Sequence, residues 1–389
     1  MAELTAQDMR NVGAKALFGM TPEQLRVLVE RQGERKFRAL QLGEALYKQR
    51  VEQLEQMTTL PTQLRERLAV EGYSVGLPEI SQTARSIDGT ERYLMRMNDG
   101  ETVETVWMPD EDQTGEEDDC EISGEVQADG YKRATICISS QVGCAVNCQF
   151  CLTARLGQRR NLTAGEIAGQ VAAVLNRQRV RLGSGRGVET PSRINVVFMG
   201  MGEPFLNYDA FMQSVHVLRT IGIPESRMTV STSGIEPAIR RFAEEPIRPR
   251  LALSLNASND EVRERIMPVT RKWNIAALLD AVSAIPLGKR EYVTFEYVLL
   301  GGVNDQPQHA REVLALLEGM KAKVNLIVWN PGPGVDFREP TPTDIATFHR
   351  MLIDGGIPTF TRRSRGRDIY AACGQLKRTI EIPTLVEIS

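Results

Sequence analysis

The chain has 389 residues, 42 % of them hydrophobic and 25 % charged, which excludes low-complexity and disordered classes and leaves room for one large core. The net charge of -3 hides an asymmetry: the stretch 110–129 holds ten acids and no Lys or Arg, and the remainder carries +7. The opening MAELTAQDMRNVGAKALFGM has no signal-like apolar run, and no stretch is apolar enough to span a membrane, so a cytoplasmic protein is expected. Six cysteines in that compartment point to cluster, metal or catalytic use rather than disulfides.

Residues 1–90 read as mostly helical, with a small helical accessory domain over 1–85. TPEQLRVLVERQG places Leu25, Val27 and Leu28 at near-helical spacing, with Thr21 as N-cap and Pro22 at the first helical position. FRALQLGEALYKQRV and LPTQLRERLAVEG continue in that style. From about 86 to 108 the pattern changes to alternation around an Asp-Gly turn, which reads as a β-hairpin. The acidic stretch to 130 reads as a surface loop, with Cys120 inert inside it. Basic clusters at 31–38, 177–186 and 362–367 suit either solvated faces or a polyanionic partner.

From 131 to 389 strand-like and helix-like stretches alternate. The strands are expected at 134–139, 194–200, 228–233, 251–255, 292–300, 324–330 and 359–364. Among the helices, LTAGEIAGQVAAVLNRQ carries a capping box, Thr163 with Glu166, and an apolar staple, Leu162 with Ile167. TPTDIATFHRML starts with Thr341 as N-cap and Pro342 next. Such alternation predicts an α/β fold with a parallel sheet and right-handed crossovers. Active sites in these sheets lie at the carboxyl ends of the strands. The unusual residues follow those ends: CAVNCQFC, GMGEP, STSG, SLNASND, WNPGPG and RSRGRDIYAACGQ.

Cys144, Cys148 and Cys151 crowd into one loop. Three thiolates hold three corners of a 4Fe-4S cube and leave one iron open to a small molecule. Structural zinc is the alternative, and it needs a fourth ligand, for which Cys137 is the candidate nearest in sequence. Taken alone, Cys137 and Cys373 read as buried or inert thiols, and Glu104 as an exposed hairpin carboxylate.

The spacing Cys-x3-Cys-x2-Cys, with Phe150 before the last cysteine, resembles the radical S-adenosylmethionine (SAM) superfamily. SSQVGCAVNCQFC, VVFMGMGEP, STSG, WNPGPG and RGRDIYAACGQL together resemble the RlmN family, over nearly the whole chain. The resemblance implies a radical SAM partial (β/α)6 barrel with a helical N-terminal domain and a β-hairpin extension. It implies methylation of carbon 2 of adenine in 23S rRNA and in tRNA next to the anticodon. Cys144, Cys148 and Cys151 would ligate the 4Fe-4S cluster. Gly202, Glu203, Ser231, the segment Ser254, Leu255 and Asn256, and Asn330 would bind SAM, two molecules of it per turnover. Cys373 would carry the methyl group, and a 5′-deoxyadenosyl radical would take a hydrogen from it. Glu104 would remove the proton from carbon 2, and Cys137 would release the product by forming a disulfide with Cys373. An external electron donor such as flavodoxin, a monomeric state and no membrane partner complete the expectation.

Two features depart from the family pattern. The acidic stretch 110–130 is longer than the usual link, and Asn256 stands where the family usually has His, which loses titration near neutral pH. The rivals are a Cfr-type enzyme, acting on carbon 8 of the adenine, and a non-catalytic RNA-binding protein with structural iron–sulfur or zinc.

Overall fold

The computed structural model describes residues 15–110, 133–182, 192–289, 291–362 and 364–376. Most of the acidic stretch, with Cys120, lies outside the described residues, as do the end of the 177–186 cluster and Arg363.

The N-terminal region begins with β1, Lys15–Ala16, which pairs in parallel with β2, Tyr73–Ser74. Between them lie α1, Pro22–Arg31, then α2, Phe37–Gly43, which runs on into a π-helical turn Glu44–Gln49, and α3, Thr62–Val70. The expected cap is present: Gln24 N donates to Thr21 Oγ1, and Thr21 N donates to Gln24 Oε1. The buried face of α1 is Leu25, Leu28 and Val29, while Val27 points outward.

The helical reading stops at Val70. Residues 79–85, assigned to the helical region from sequence, form β3, Glu79–Arg85. EISQTAR mixes Ile and Thr with polar residues and has no apolar i, i+3, i+4 face, so edge pairing on a sheet decides its conformation. β3 pairs antiparallel with β4, Glu91–Arg96, which pairs with β5, Thr102–Pro109. The expected hairpin is therefore two strands of a three-stranded meander.

β5 joins the meander to β6, Arg133–Cys137, the first of seven parallel strands. After a short hairpin of β7, Gln141–Val142, and β8, Arg160–Asn161, these continue as β9, Arg193–Phe198; β10, Met228–Thr232; β11, Arg250–Ser254; β12, Val293–Leu299; β13, Ala322–Val328; and β14, Thr359–Arg362. The ten-stranded sheet has the order β14-β13-β12-β11-β10-β9-β6-β5-β4-β3. Its edges, β14 and β3, do not pair among the described residues, and all seven parallel strands expected from sequence are present, β14 being one more than a (β/α)6 barrel has.

Each parallel step is a crossover helix, as the alternation predicts. They are α4, Ala164–Arg177; α5, Tyr208–Ile221; α6, Glu236–Ala243; α7, Asp260–Ile266, with α8, Ile275–Ser283; α9, Pro307–Leu316; and α10, Pro342–Asp354. The capping box of Thr163 and Glu166 is formed, Thr341 caps α10, and Leu162 and Ile167 are both buried. One large apolar core joins the helices to the sheet. A smaller one, Ala257, Ile266, Met267, Leu300 and Trp329, lies under the cysteine loop, with Cys148 and Phe150 packed against it.

Candidate active site

Pairing of β7 with β8 closes the neck of the cysteine loop. Gly143 has φ +80°, and a Cβ there would meet the Gly157 carbonyl oxygen at 1.7 Å, so only glycine fits. Cys144 N donates to that same carbonyl at 3.2 Å. Cys151 N donates to Cys148 O at 3.1 Å, and Gln149 N to Ile266 O at 2.9 Å, which seats the loop on the end of α7.

All three loop cysteines are free thiols. The amides of Val146 and Ala145 face the Cys144 sulfur, and Thr153 and Ala154 supply donors to Cys151. Burial pushes the Cys144 thiol up to about 12, with Glu203 and Cys151 adding to the effect. Burial raises Cys148 further, reinforced by Cys151 and Cys144, and raises Cys151 as well. Free thiols in such a place are protonated and inert, whereas coordination removes the proton outright.

The register aligns one polar row on the inner face of the sheet. Ser254 pairs with Glu296, and Glu296 with Asn325, so the three side chains share a face. Ser231 joins them through its Oγ, 3.2 Å from Ser254 Oγ. Burial raises Glu296 above the usual carboxylate range, opposed by Arg362 and by hydrogen bonds from Asn325 and Ser231. Glu296 and Asn325 were not among the residues expected from sequence. The available signal was one carboxylate inside the apolar run YVTFEYVLL.

Glu203 is 3 % exposed. Its Oε2 accepts from Ser233 N and Ser233 Oγ, both at 2.7 Å, and its Oε1 accepts from Phe205 N at 3.0 Å. Burial raises its pKa against those bonds. The carboxylate therefore braces GMGEP against STSG. At Gly202, φ is +97° and an added Cβ would meet the Gln141 side chain at 2.6 Å. Asn256 takes φ +57°, a left-handed position that Asn tolerates. Its Oδ1 accepts from Val298 N at 2.9 Å, and its Nδ2 reaches Met267 Sδ at 3.3 Å. Its side chain is thus committed to the protein. Leu255 is fully buried and offers its carbonyl to Arg263 Nε at 3.0 Å.

The tail closes the site. Leu152 N donates to Gly374 O at 2.8 Å, and Thr153 Oγ1 to Leu376 O at 2.7 Å, tying the cysteine loop to the segment that carries Cys373. Asn330 Nδ2 donates to Cys373 O at 3.2 Å, and its buried Oδ1 has no partner. Cys373 keeps accessible surface, yet burial dominates in pushing its thiol up to about 11, with Glu296 adding and Arg362 opposing. A side chain lining a deep cleft behaves in this way. Cys137 is buried at the end of β6, and its thiol is raised by burial and then by Cys373. The Cys373 thiol is thus close enough to Cys137 to affect its ionisation.

Val106 pairs with Cys137, so Glu104, two residues along β5, lies on the same face. Ser139 Oγ donates to Glu104 O at 2.7 Å. Glu104 is buried rather than exposed, and its Oε1 is 3.2 Å from Arg92 Nη1. The Arg92 Nη1 to Tyr370 O distance is 3.5 Å, which relates the pair to the tail. Arg92 was also missed from sequence, where it reads as one more charged hairpin residue.

The residues fit the groups that the cysteine spacing implies. Three soft sulfur donors share one loop, with backbone amides directed at two of them and an apolar floor beneath. Among the described residues, no three His, Cys, Asp or Glu side chains gather around one point as a single metal ion requires. A cube instead takes its ligands at separate corners. The unpartnered Asn330 Oδ1 and the serine pair offer acceptors to an amino-acid moiety.

A sequence profile of the Radical SAM superfamily matches residues 138–314. The fold and the three-cysteine loop thus define a radical SAM protein, with a 4Fe-4S cluster and SAM as its cofactors. A profile of the ribosomal RNA large subunit methyltransferase N-terminal domain matches residues 15–72. The chain is 55 % identical over 358 residues to a probable dual-specificity RNA methyltransferase RlmN of Koribacter versatilis, covering 92 % of this chain and 100 % of that one. It is 40 % identical to the dual-specificity RNA methyltransferase RlmN of Lawsonia intracellularis, covering 92 % and 95 %. The crystal structure of a radical SAM methyltransferase from Sphaerobacter thermophilus superposes with a TM-score of 0.81 at 39 % identity, covering 94 % and 99 %. The chain belongs to the RlmN family.

Proposed function

We propose that this enzyme methylates carbon 2 of adenine in 23S rRNA and in tRNA, using Cys373 as the methyl carrier. The observation that carries the reading is that Cys137 and Glu104 share the inner face of the sheet while the cysteine loop is tied to the segment of Cys373 through Leu152 N and Thr153 Oγ1.

Cys144, Cys148 and Cys151 hold the cluster, and Ser231, Ser254 and Asn330 orient SAM, with Gly202 and Glu203 shaping the loop beside it. When bound, these groups supply a methyl cation equivalent and one-electron chemistry strong enough to break a methyl C–H bond. Cys373 gives up its thiol proton on taking the methyl group, and Arg362 favours that loss. Once a methyl hydrogen has been taken as an atom, the carbon left on Cys373 would bond to carbon 2 of the adenine, and the one-electron chemistry of the bound groups would take up the electron that the adduct gives back. Glu104 accepts the proton that leaves carbon 2, at a position fixed by Arg92 and Ser139. Cys137, having lost its thiol proton, then attacks the Cys373 sulfur, so a disulfide forms as the bond from Cys373 to the new carbon breaks, and that carbon keeps the electron pair and takes up a proton to become the methyl group. An external electron donor and a thiol reductant restore the starting state.

The adenine must leave its stack to enter the cleft. The N-terminal helices, with Arg31, Arg35, Lys36 and Arg38, supply a basic surface for the RNA. No helix among the described residues is long and apolar enough to cross a membrane. The RNA substrates place the enzyme in the cytoplasm, and we take it to act as a monomer.

The test uses a bacterial host lacking its own enzyme of this family. Wild type and Cys373→Ala are expressed, and methyladenosines in total RNA are separated by mass spectrometry. The expected result is 2-methyladenosine with wild type only. Appearance of 8-methyladenosine instead would move the protein to the Cfr branch, and absence of both from iron-loaded protein would end the substrate assignment.

A further inference from the structure

Arg263 heads the largest fully buried side chains of the described residues, at 0 % exposure. It lies in α7, and its guanidinium donates to four oxygens. Nε reaches Leu255 O at 3.0 Å, and Nη1 reaches Thr270 Oγ1 at 2.8 Å. Nη2 reaches Ser233 O at 2.6 Å and Ser254 O at 3.1 Å. All four acceptors are neutral. Burial lowers its pKa only to about 10, which leaves it charged at neutral pH.

A buried cation without a counter-charge costs several kcal/mol. The negative groups that oppose the cost are Cys148, first, and Asp260. Asp260 Oδ1 is occupied by Ile275 N, at 2.8 Å. Cys148 carries charge only as a metal-bound thiolate. It packs against the small core that includes Ile266 and Met267, and Met267 N donates to Arg263 O at 2.6 Å. Arg263 therefore sits about one helical turn before Ile266 and Met267, and Gln149 N seats the cysteine loop on Ile266 O at 2.9 Å. Three thiolates around a doubly positive 4Fe-4S core leave one net negative charge, and reduction adds a second. A fixed positive charge nearby favours the reduced state.

We propose that Arg263 is the built-in counter-charge of the cluster, a positioning residue that eases its one-electron reduction while holding the strand ends at Ser233, Ser254 and Leu255. This rests on the assignment of Cys144, Cys148 and Cys151 as cluster ligands. The rival role is a purely structural brace.

The test reconstitutes full-length wild type, Arg263→Lys, Arg263→Gln and Thr270→Val anaerobically, without RNA. Iron and sulfide are measured, and the cluster is then titrated against mediators by its visible absorbance and electron paramagnetic resonance. At a fixed potential, Arg263→Gln should lower the reduced-to-oxidised ratio about tenfold, about 60 mV for one electron. Arg263→Lys keeps the charge, Thr270→Val removes one of the guanidinium's four bonds together with the hydroxyl's own bond to Met267 O, and both should stay near wild type. An iron-loaded Arg263→Gln with the wild-type potential overturns the proposal, as does a fall in Arg263→Lys equal to that in Arg263→Gln. Should Arg263→Gln take up no iron, Arg263→Lys decides through pH. A buried lysine loses its proton below the usual range, so its cluster potential should fall more steeply with rising pH than that of wild type. Parallel slopes would overturn the idea. Wild type free of iron would remove the cluster assignment itself, a separable failure.

Discussion

Arg92 and Glu104 pair at 3.2 Å with 5 % and 1 % of their side chains exposed, so the carboxylate proposed as the proton acceptor stands against a buried guanidinium. Breaking such a pair leaves one charge buried and alone. Arg92→Met should cost roughly 3–5 kcal/mol, read as a fall in melting temperature. The double variant Arg92→Met with Glu104→Gln should recover much of that loss, because no lone charge remains. A double variant as unstable as the single one would mean that packing, not charge, governs the pair.

Cys137 ends β6, away in sequence from the cysteine loop, and its thiol is raised by burial and then by Cys373. Cys137→Ala should leave cluster loading intact and stop product release. RNA should then stay attached to the protein through Cys373 after denaturation, as a band on a denaturing gel that nuclease removes. Freely released methylated RNA at the wild-type rate would exclude Cys137 from the resolving step.

Much of this site was legible beforehand, and the missing parts share a physical cause. The cysteine spacing and the strand-end motifs are local, so their chemistry survives in one dimension. Arg92, Arg263 and Glu296 look like ordinary surface charges until register and burial place them. β3 was lost for a related reason, since EISQTAR acquires its conformation from β4 rather than from its own pattern. Asn256 shows a further role that its sequence does not reveal. Expected beside SAM, it occupies a left-handed backbone position, and its Oδ1 accepts from Val298 N.

Glu296 supplies a pH test. Its folded-state pKa is raised by burial, while the unfolded value is about 4.3. The folded state therefore holds its proton to higher pH, and stability falls as pH rises from the unfolded value through the folded one. Glu296→Gln should remove that loss. Its melting temperature should exceed that of wild type at neutral pH, and the gap should shrink as pH falls toward 4. A gap independent of pH would show that the carboxylate is not held in this way.

Asn330 Oδ1 is a buried acceptor without a partner. If it receives the ammonium of SAM, Asn330→Ala should weaken SAM binding about 10- to 100-fold, as loss of a buried hydrogen bond of about 1–3 kcal/mol requires. Equilibrium dialysis with reconstituted protein measures this, with iron content as the control. An unchanged affinity would leave Asn330 only its bond to Cys373 O.

The bond from Thr153 to Leu376 spans 223 residues of sequence. On the ribosome, the cysteine loop emerges long before the segment that covers it. A partly made chain thus exposes three thiols with no strap over them, open to the wrong metal or to oxidation. Capture of iron and sulfide is best matched to the end of synthesis, when residues 370–376 are there to shut the loop. A product halted before Cys373 would lose more than its methyl carrier: it would also lack the strap that keeps its cysteine loop closed.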